Sequence, residues 1–133
     1  MRNAKYPLAL ILFAFFAFTS CKKDSSKPIA ITLTGLDTGK AVILVQGQIV
    51  KITLGNFDES GYTFNTWQYD AGILHLDSHS SIPPANTGTV GNSGSDVWQF
   101  SALKSGTSTL KISATQGLAG ETINMFSDTV KVR

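Results

Sequence analysis

The sequence predicts an all-β chain that folds as one immunoglobulin-like antiparallel β-sandwich of about seven to eight strands. Three observations support this prediction. Short segments alternate apolar and polar residues, turn-forming residues recur between these segments, and no stretch has the periodicity of an amphipathic helix. The chain has 133 residues, including 12 glycines. This length suits a single domain.

The candidate strands follow one another along the chain. Residues 29–34 alternate apolar with small or polar side chains, and residues 35–39 supply a turn. Residues 40–45 are rich in β-branched side chains, which favour strands. Residues 78–95 include two prolines and three glycines, so we expect mostly loop there, with at most a brief strand. The further candidate strands are 49–54, 62–69, 73–76, 97–103, 107–113 and 123–132.

The start of the chain has the features of a secretory leader. Arg2 and Lys5 precede an unbroken apolar run over residues 8–18, which is shorter than the roughly 20 residues that a spanning helix needs. The only cysteine, Cys21, follows directly, and residues 18–21 resemble a bacterial lipobox. We therefore expect Cys21 to be lipidated, with palmitate-type chains, and to become the mature N-terminus.

These features divide the chain into three parts. Residues 1–20 are predicted to be a lipoprotein signal peptide, residues 21–28 a flexible tether, and residues 29–133 the immunoglobulin-like domain. The expected location is outside the cytoplasm, anchored by lipid to the bacterial cell envelope, on the periplasmic or surface face of the outer membrane.

Charge and cysteine content exclude several function classes. Eleven Lys and Arg stand against nine Asp and Glu, and loss of Arg2 and Lys5 with the leader leaves equal numbers of basic and acidic side chains. A nucleic-acid partner is therefore not expected, because such binding needs an excess of cations. With Cys21 alone, the domain has no disulfide, thiolate nucleophile or cysteine-ligated metal. We expect a monomer without a cofactor.

The sequence gives little support for catalysis or metal binding. His75 and His79 have the spacing of a zinc-protease pair, but they lie in a predicted strand and loop, without the required glutamate. In a strand they would share one face. A metal site that adds Asp70 and Asp77 is the alternative to solvated side chains. No nucleophile elbow or phosphate-binding loop occurs, so we predict neither an enzyme nor a bound metal.

Three glycine-rich loops stand out, at residues 55–62, 91–95 and 114–120. Alternate loops of a sandwich meet at one end, so we expect these three to lie together. Glycine permits close approach of the backbone to a partner. The same residue types are also what tight turns require, so the loops alone leave a purely structural role open.

Motifs in these loops follow the order found in a known inhibitor family. The run 60–62, Ser-Gly-Tyr, matches a T-G-Y/F motif after a strand, and 91–100 matches a G-x-G-G-T loop that leads into an aromatic strand. Residues 100–110 fit an F-x-A-x-x-x-G-x-x-x-L stretch without a gap. In this respect residues 46–132 resemble the chagasin-like inhibitors of papain-family cysteine peptidases. The resemblance implies an immunoglobulin-like sandwich that blocks the active-site cleft noncovalently with three loops.

The resemblance also implies the contact residues. Residues 58–62 would enter the cleft, with Gly61 allowing close main-chain contact and Tyr62 bracing the loop, while the other two loops straddle the cleft walls. The third loop of the family carries R-P-W, but here residues 115–117 are Thr-Gln-Gly, followed by Leu118. We therefore expect a weaker inhibitor or one tuned to another peptidase. The predicted peptidase-binding residues are Asn56, Asp58, Glu59, Ser60, Gly61, Tyr62, Gly91, Asn92, Ser93, Gly94, Ser95, Thr115, Gln116, Gly117 and Leu118.

A second function class uses the same fold. A cell-surface adhesion, glycan-binding or scaffolding module would need no peptidase-binding loops. A glycan-binding module would use Trp67 or Trp98 as an exposed stacking platform. Burial of both tryptophans would count against that form of the alternative.

Overall fold

The computed structural model describes residues 28–85, 93–118 and 120–133. Within these residues eight strands form two four-stranded sheets, which confirms the predicted immunoglobulin-like sandwich. No helix in the described ranges is long and apolar enough to cross a membrane. The predicted leader and Cys21 lie outside the described residues. The strands are β1 (Ile31–Thr34), β2 (Ala41–Leu44), β3 (Ile49–Gly55), β4 (Tyr62–Phe64), β5 (Leu74–Ile82), β6 (Ser95–Ala102), β7 (Gly106–Gln116) and β8 (Thr122–Val132).

The chain alternates between the two sheets at its start. The first sheet has the order β1-β3-β6-β5 and the second β2-β8-β7-β4. The pairs β3–β6, β5–β6, β7–β8 and β4–β7 are antiparallel, as predicted. The edge strands β1 and β2 instead pair in parallel with β3 and β8. This follows because β1 and β2, although consecutive, lie in different sheets, so neither pairs with its neighbour through a hairpin.

The core lies between the sheets and explains the alternating sequence pattern. Along β7 and β8 every second side chain is buried over most of each strand, as expected for strands with one face on the core. Trp67 packs edge-on against Trp98 and Phe100 of the first sheet and Phe126 of the second, with ring centroids 5.5, 5.3 and 5.9 Å away. The largest fully buried side chains are Phe100, Phe126, Leu44, Ile52, Leu74, Leu110, Ile112, Val50 and Val130.

Two predicted strands have different lengths in the structure. The predicted strand 62–69 is regular only in β4, and it regains pairing at a single bridge between Gln68 and Lys111. The predicted short strand 73–76 extends through residues expected to form a loop and becomes the nine-residue β5. β5 pairs with β6 along its length, so tertiary pairing overrides the weak strand propensity of its serines.

The connections place the chain start and the glycine-rich loops at opposite ends. The turn between β2 and β3 bonds to the last residue of β6, through Gly47 N–H to Ala102 O (2.8 Å), and to the last residue of the chain, through Gln46 N–H to Arg133 O (3.3 Å). The Gln48 side chain at this end donates to Ile29 O (2.7 Å). The domain therefore begins at the end remote from Gly55.

Candidate functional site

Three loops meet at the end of the sandwich where β3, β5 and β7 finish. Loop 1 is residues 56–61 between β3 and β4, loop 2 is residues 83–94 between β5 and β6, and loop 3 is residues 117–121 between β7 and β8. Gly55 pairs with Ser95, and Tyr62 pairs with Gln116. These pairings bring the described parts of the loops side by side at what we call the loop end.

Loop 1 is a compact, hydrogen-bonded turn. The Asn56 side-chain oxygen accepts from Asp58 N–H (2.9 Å), which opens a 3-10 turn over Asp58–Ser60. Gly61 closes the turn with φ of 76° and donates its N–H to Asp58 O (2.9 Å). That left-handed conformation costs little only for glycine. The Ser-Gly-Tyr motif therefore encodes a specific backbone shape.

Loop 1 is bonded to both neighbouring loops. Towards loop 3, Gly117 N–H donates to Gly61 O (3.1 Å) and the Gln116 side chain donates to Ser60 O (3.1 Å). Towards loop 2, Asn56 N–H donates to Gly94 O (3.0 Å). Loop 1 therefore lies in the middle of a hydrogen-bonded surface, formed by the described parts of loops 1, 2 and 3, that we call the ridge.

A polar cluster around one buried carboxylate lies at the junction of loops 1 and 2. Asp96 on β6 is only 4% exposed. Its carboxylate accepts from Asn56 Nδ2 (2.8 Å) on one oxygen, and from His79 Nε2 and Ser81 Oγ (each 2.7 Å) on the other. The His79 ring stacks on Trp98 at 4.7 Å with an interplanar angle of 4°. The cluster joins β5, β6 and loop 1.

The ridge presents a mixed surface. Leu118 and Phe57 are exposed apolar side chains of loops 3 and 1, with Leu118 fully exposed and Phe57 46% exposed. Asp58, Ser60 and Gly61 between them are exposed, whereas Tyr62 is half-buried as the first residue of β4. This arrangement can contact a partner through exposed backbone and through two apolar side chains.

Not every predicted contact residue lies in a loop. Thr115 and Gln116 belong to β7, and Ser95 is the first residue of β6. Ser93 and Gly94 are half-buried at the foot of loop 2. Gly91 and Asn92 lie outside the described residues, and Glu59 falls within the 3-10 turn of loop 1.

Sequence reasoning leaves three residues out of the predicted site: Phe57, Asp96 and His79. Phe57 does carry a local signal, because an aromatic residue inside a polar loop is a candidate interface anchor. Asp96 and His79 meet only because β5 continues beyond its predicted end. No local pattern indicates that contact.

The prediction that His75 and His79 share a face is wrong. β5 has a bulge between Leu76 and Ser78, so His75 pairs with Ser101 on the outer face and His79 pairs with the buried Trp98. An extra residue in a strand moves the following side chains to the other face. Nowhere in the described ranges do three His, Cys, Asp or Glu side chains form a group able to hold a metal ion.

The Ser81, His79 and Asp96 cluster lacks the geometry of a nucleophilic triad. In such a triad the histidine bridges the serine and the carboxylate. Here serine and histidine bind the same Asp96 oxygen. The cluster is therefore arranged to hold the carboxylate rather than to activate the serine.

Both tryptophans belong to the interior. Trp67 and Trp98 are 7% and 3% exposed. They line a side groove of about 260 Å³ together with His79, whose ring is stacked on Trp98. Neither ring offers an open face, so the structure does not support the glycan-stacking form of the alternative function.

Comparison with known proteins places this geometry in context. The model of a protein family described as "Chagasin family peptidase inhibitor I42" matches residues 44–130 of this chain. Among solved structures, the chain is similar to the cysteine protease inhibitor EhICP2 from Entamoeba histolytica, with TM-score 0.64 and 18% identity over 78% of this chain and 95% of that one. No curated protein matches its sequence.

Two further solved structures share the fold. Amebosin has a TM-score of 0.63 and 15% identity, and the match covers 80% of this chain and 100% of that one. PbICP-C, solved in complex with falcipain-2, has a TM-score of 0.53 and 12% identity, with 82% and 93% covered.

The foot of loop 2 gives a stability prediction. Gly94 has φ of 86°, and a Cβ there would collide with Ile82 O and crowd the Pro83 backbone, whereas Gly39 has φ of 84° and open space. We expect Gly39→Ala to lower the free energy of unfolding by about 1–2 kcal/mol. Gly94→Ala should cost about 1–3 kcal/mol more because of the clash. Urea unfolding of both variants measures the difference, and equal losses would contradict the packing at this foot.

Proposed function

The chain belongs to the chagasin family of peptidase inhibitors, and from this premise we propose that it inhibits papain-family cysteine peptidases noncovalently, by seating its loop end in the active-site cleft. The family is one of inhibitors, so the chain is not an enzyme. Cysteine peptidases are the proposed targets because EhICP2 is a cysteine protease inhibitor and PbICP-C was solved with falcipain-2.

The observation that carries the proposal is the bonded ridge. Loop 1 is hydrogen-bonded to Gly94 on one side and to Gly117 on the other. A pre-ordered ridge loses little conformational entropy when it binds, so more of its contact energy appears as affinity. A cleft between two walls is the complementary shape, with loop 1 entering and loops 2 and 3 resting on the walls.

Gly61 is proposed to make the closest approach to the catalytic centre. It is exposed at the crest of loop 1 and has no side chain to hold the two backbones apart. Its N–H is already bonded to Asp58 O and its carbonyl to Gly117 N–H. The turn therefore keeps its shape without the target, as a noncovalent inhibitor requires.

Leu118 and Phe57 are the proposed apolar anchors. They lie on loops 3 and 1, on either side of the Gly61 turn. Exposed apolar side chains that become buried in a complex supply much of its binding energy. Leu118 in particular is the only bulky apolar side chain in the region where the family carries R-P-W.

We also propose that Cys21 carries the lipid anchor and that the domain stands at the outer membrane, on its periplasmic or surface face. The domain begins at Ile29, at the end opposite the ridge. A tether that enters there leaves the loop end directed away from the lipid. This orientation suits an inhibitor that meets peptidases in the medium or the periplasm, and it is compatible with a monomer.

The wedge assignment is tested with Gly61→Arg and its matched control Gly39→Arg. Both glycines have positive φ and room for a Cβ, but only Gly61 lies at the loop end. With the full chain in mild detergent, we expect wild type to inhibit papain reversibly. Gly61→Arg should raise the inhibition constant about 100-fold or more, and Gly39→Arg should leave it within about threefold of wild type. Equal inhibition by Gly61→Arg and wild type would refute the wedge.

The anchor assignment is tested with Leu118→Ala and Leu103→Ala. Leu103 is also exposed but lies at the opposite end of the domain, beside the Gln46 side chain. Loss of a contacting leucine should weaken inhibition by about 1–2 kcal/mol, which is roughly 5- to 30-fold. Leu103→Ala should inhibit like wild type. An unchanged inhibition constant for Leu118→Ala would remove loop 3 as an apolar anchor.

The lipid anchor is tested with Cys21→Ser. Expressed in a Gram-negative host with labelled palmitate, the wild-type chain should carry label and sediment with membranes. The variant should carry none and appear in the soluble fraction, because the thiol is the acceptor of the lipid. Label that persists in Cys21→Ser would contradict the assignment.

A further inference from the structure

We propose that Asp96 is a positioning residue of the inhibitory ridge: its buried carboxylate holds Asn56, and through Asn56 it holds the Gly61 turn in the shape that binds. This inference rests on the proposed function and extends it to a residue that no peptidase would touch. The evidence is the chain of contacts that runs from β5 through Asp96 to the crest of loop 1.

The chain of contacts begins at the carboxylate. Asp96 is 4% exposed and accepts three side-chain hydrogen bonds of 2.7 to 2.8 Å. Bonds to a buried carboxylate are short and stronger than those between neutral groups. Because His79 is stacked on Trp98 and Ser81 is on the same strand β5, two donors fix the carboxylate against the sheet.

The Asn56 side chain is the next link. Its amide nitrogen donates to Asp96, and its oxygen accepts from Asp58 N–H at the start of the 3-10 turn. A carboxylate can only accept and an N–H can only donate, so this pair of partners permits a single orientation of the amide. Through these two bonds Asn56 fixes the start of the loop 1 turn relative to Asp96.

Position 96 has to supply an acceptor to the Asn56 amide. An asparagine there could still do so by turning its oxygen to Asn56, because a neutral histidine and a hydroxyl can both accept from its NH2 group. A leucine has the same branched shape but no acceptor, so it would leave the Asn56 NH2 group without this bond. The 3-10 turn would lose the support that sets its start, although the strands on which these residues sit would remain paired.

A second buried aspartate separates this role from a general contribution to stability. Asp128 on β8 is 2% exposed and accepts from Lys40 N–H (3.0 Å), remote from all three loops. Asp128→Leu removes the same carboxylate from a similarly buried site. It should therefore affect folding in a comparable way but leave the ridge intact.

The decisive experiment compares Asp96→Leu, Asp128→Leu and the exchange that combines Asn56→Asp with Asp96→Asn, all in the full chain. In the exchange, the carboxylate introduced at position 56 can accept from the amide introduced at position 96 and from Asp58 N–H, so the bonding pattern is restored with donor and acceptor reversed. Papain inhibition and thermal unfolding are measured for each variant. Asn56→Asp alone, which opposes two carboxylates, is the further single variant should Asp96→Leu not fold.

We expect Asp96→Leu to raise the inhibition constant about tenfold or more, because a hydrogen bond to a charged group is lost. Asn56→Asp alone should do the same. The exchange should return the constant to within about threefold of wild type, and Asp128→Leu should stay at the wild-type value. Wild-type inhibition by Asp96→Leu or Asn56→Asp, equal losses for the two buried-aspartate variants, or failure of the exchange to restore inhibition would overturn the proposal.

A readout without any peptidase keeps this result distinct from the proposed function. The N–H groups of Ser60 and Gly61 are bonded within the turn, to Phe57 O and Asp58 O (both 2.9 Å). Their hydrogen exchange should accelerate about tenfold or more in Asp96→Leu, recover in the exchange variant and stay slow in Asp128→Leu. If wild type fails to inhibit while this pattern holds, the proposed target is wrong but the positioning role stands. Unchanged hydrogen exchange in Asp96→Leu would overturn it.

Discussion

The contact of Trp67 with both sheets is the interaction on which the rest of the structure depends. Trp67 lies where the chain crosses from β4 in the second sheet to β5 in the first, and its ring meets aromatic rings from both. Its Nε1 is buried and has no hydrogen-bond acceptor in the described part of the chain. Such a group costs about 1–3 kcal/mol, so packing has to outweigh that cost. The ring contacts fix how the two sheets lie on each other.

Because the two sheets are fixed relative to each other, the two ends of loop 1 are held at a fixed separation. Loop 1 spans from the first sheet to the second, between the paired ends Gly55 and Tyr62. Its feet cannot move apart unless the sheets do. The polar contacts to Gly94, Gly117 and Asp96 then need only to order a few residues between anchored ends. The same contacts explain why loop 1 keeps its shape without a partner.

How far the sequence predicts this structure depends on whether each feature is local. β3 and β6 are close to prediction because their buried faces alternate along the chain. Ser78–Ile82 cannot be identified as strand from sequence, because an exposed edge strand of polar residues has no apolar alternation and owes its conformation to its pairing with β6. The bulge that turns His79 inward has no sequence signature for the same reason. The buried Asp96 cluster follows from that bulge, so it is beyond sequence reasoning as well.

The candidate site also combines features that are local in the sequence with features that depend on tertiary pairing. Gly61 is predictable from sequence because its left-handed backbone conformation favours glycine, and the Ser-Gly-Tyr motif places a glycine there. Gln116 is among the predicted peptidase contacts, but it lies on β7 and its side chain is bonded to Ser60 O of loop 1. The predicted loop begins at residue 114, three residues before the end of β7 is passed. The pairing of Thr115 and Gln116 with β4 shows that both residues belong to the sheet rather than to loop 3.

The bond between the Gln116 side chain and Ser60 O shapes the proposed interface. With Gln116 bonded to loop 1, Leu118 and Phe57 are the exposed apolar side chains that flank the turn. The residues of loops 1 and 3 include Asp58, Glu59 and Glu121 and no Lys or Arg. Like charges repel across an interface and opposite charges speed association. This ridge is therefore suited to a cleft with apolar pockets and a neutral or basic rim, and it disfavours one with an acidic rim, where an arginine in loop 3 would have been the better anchor.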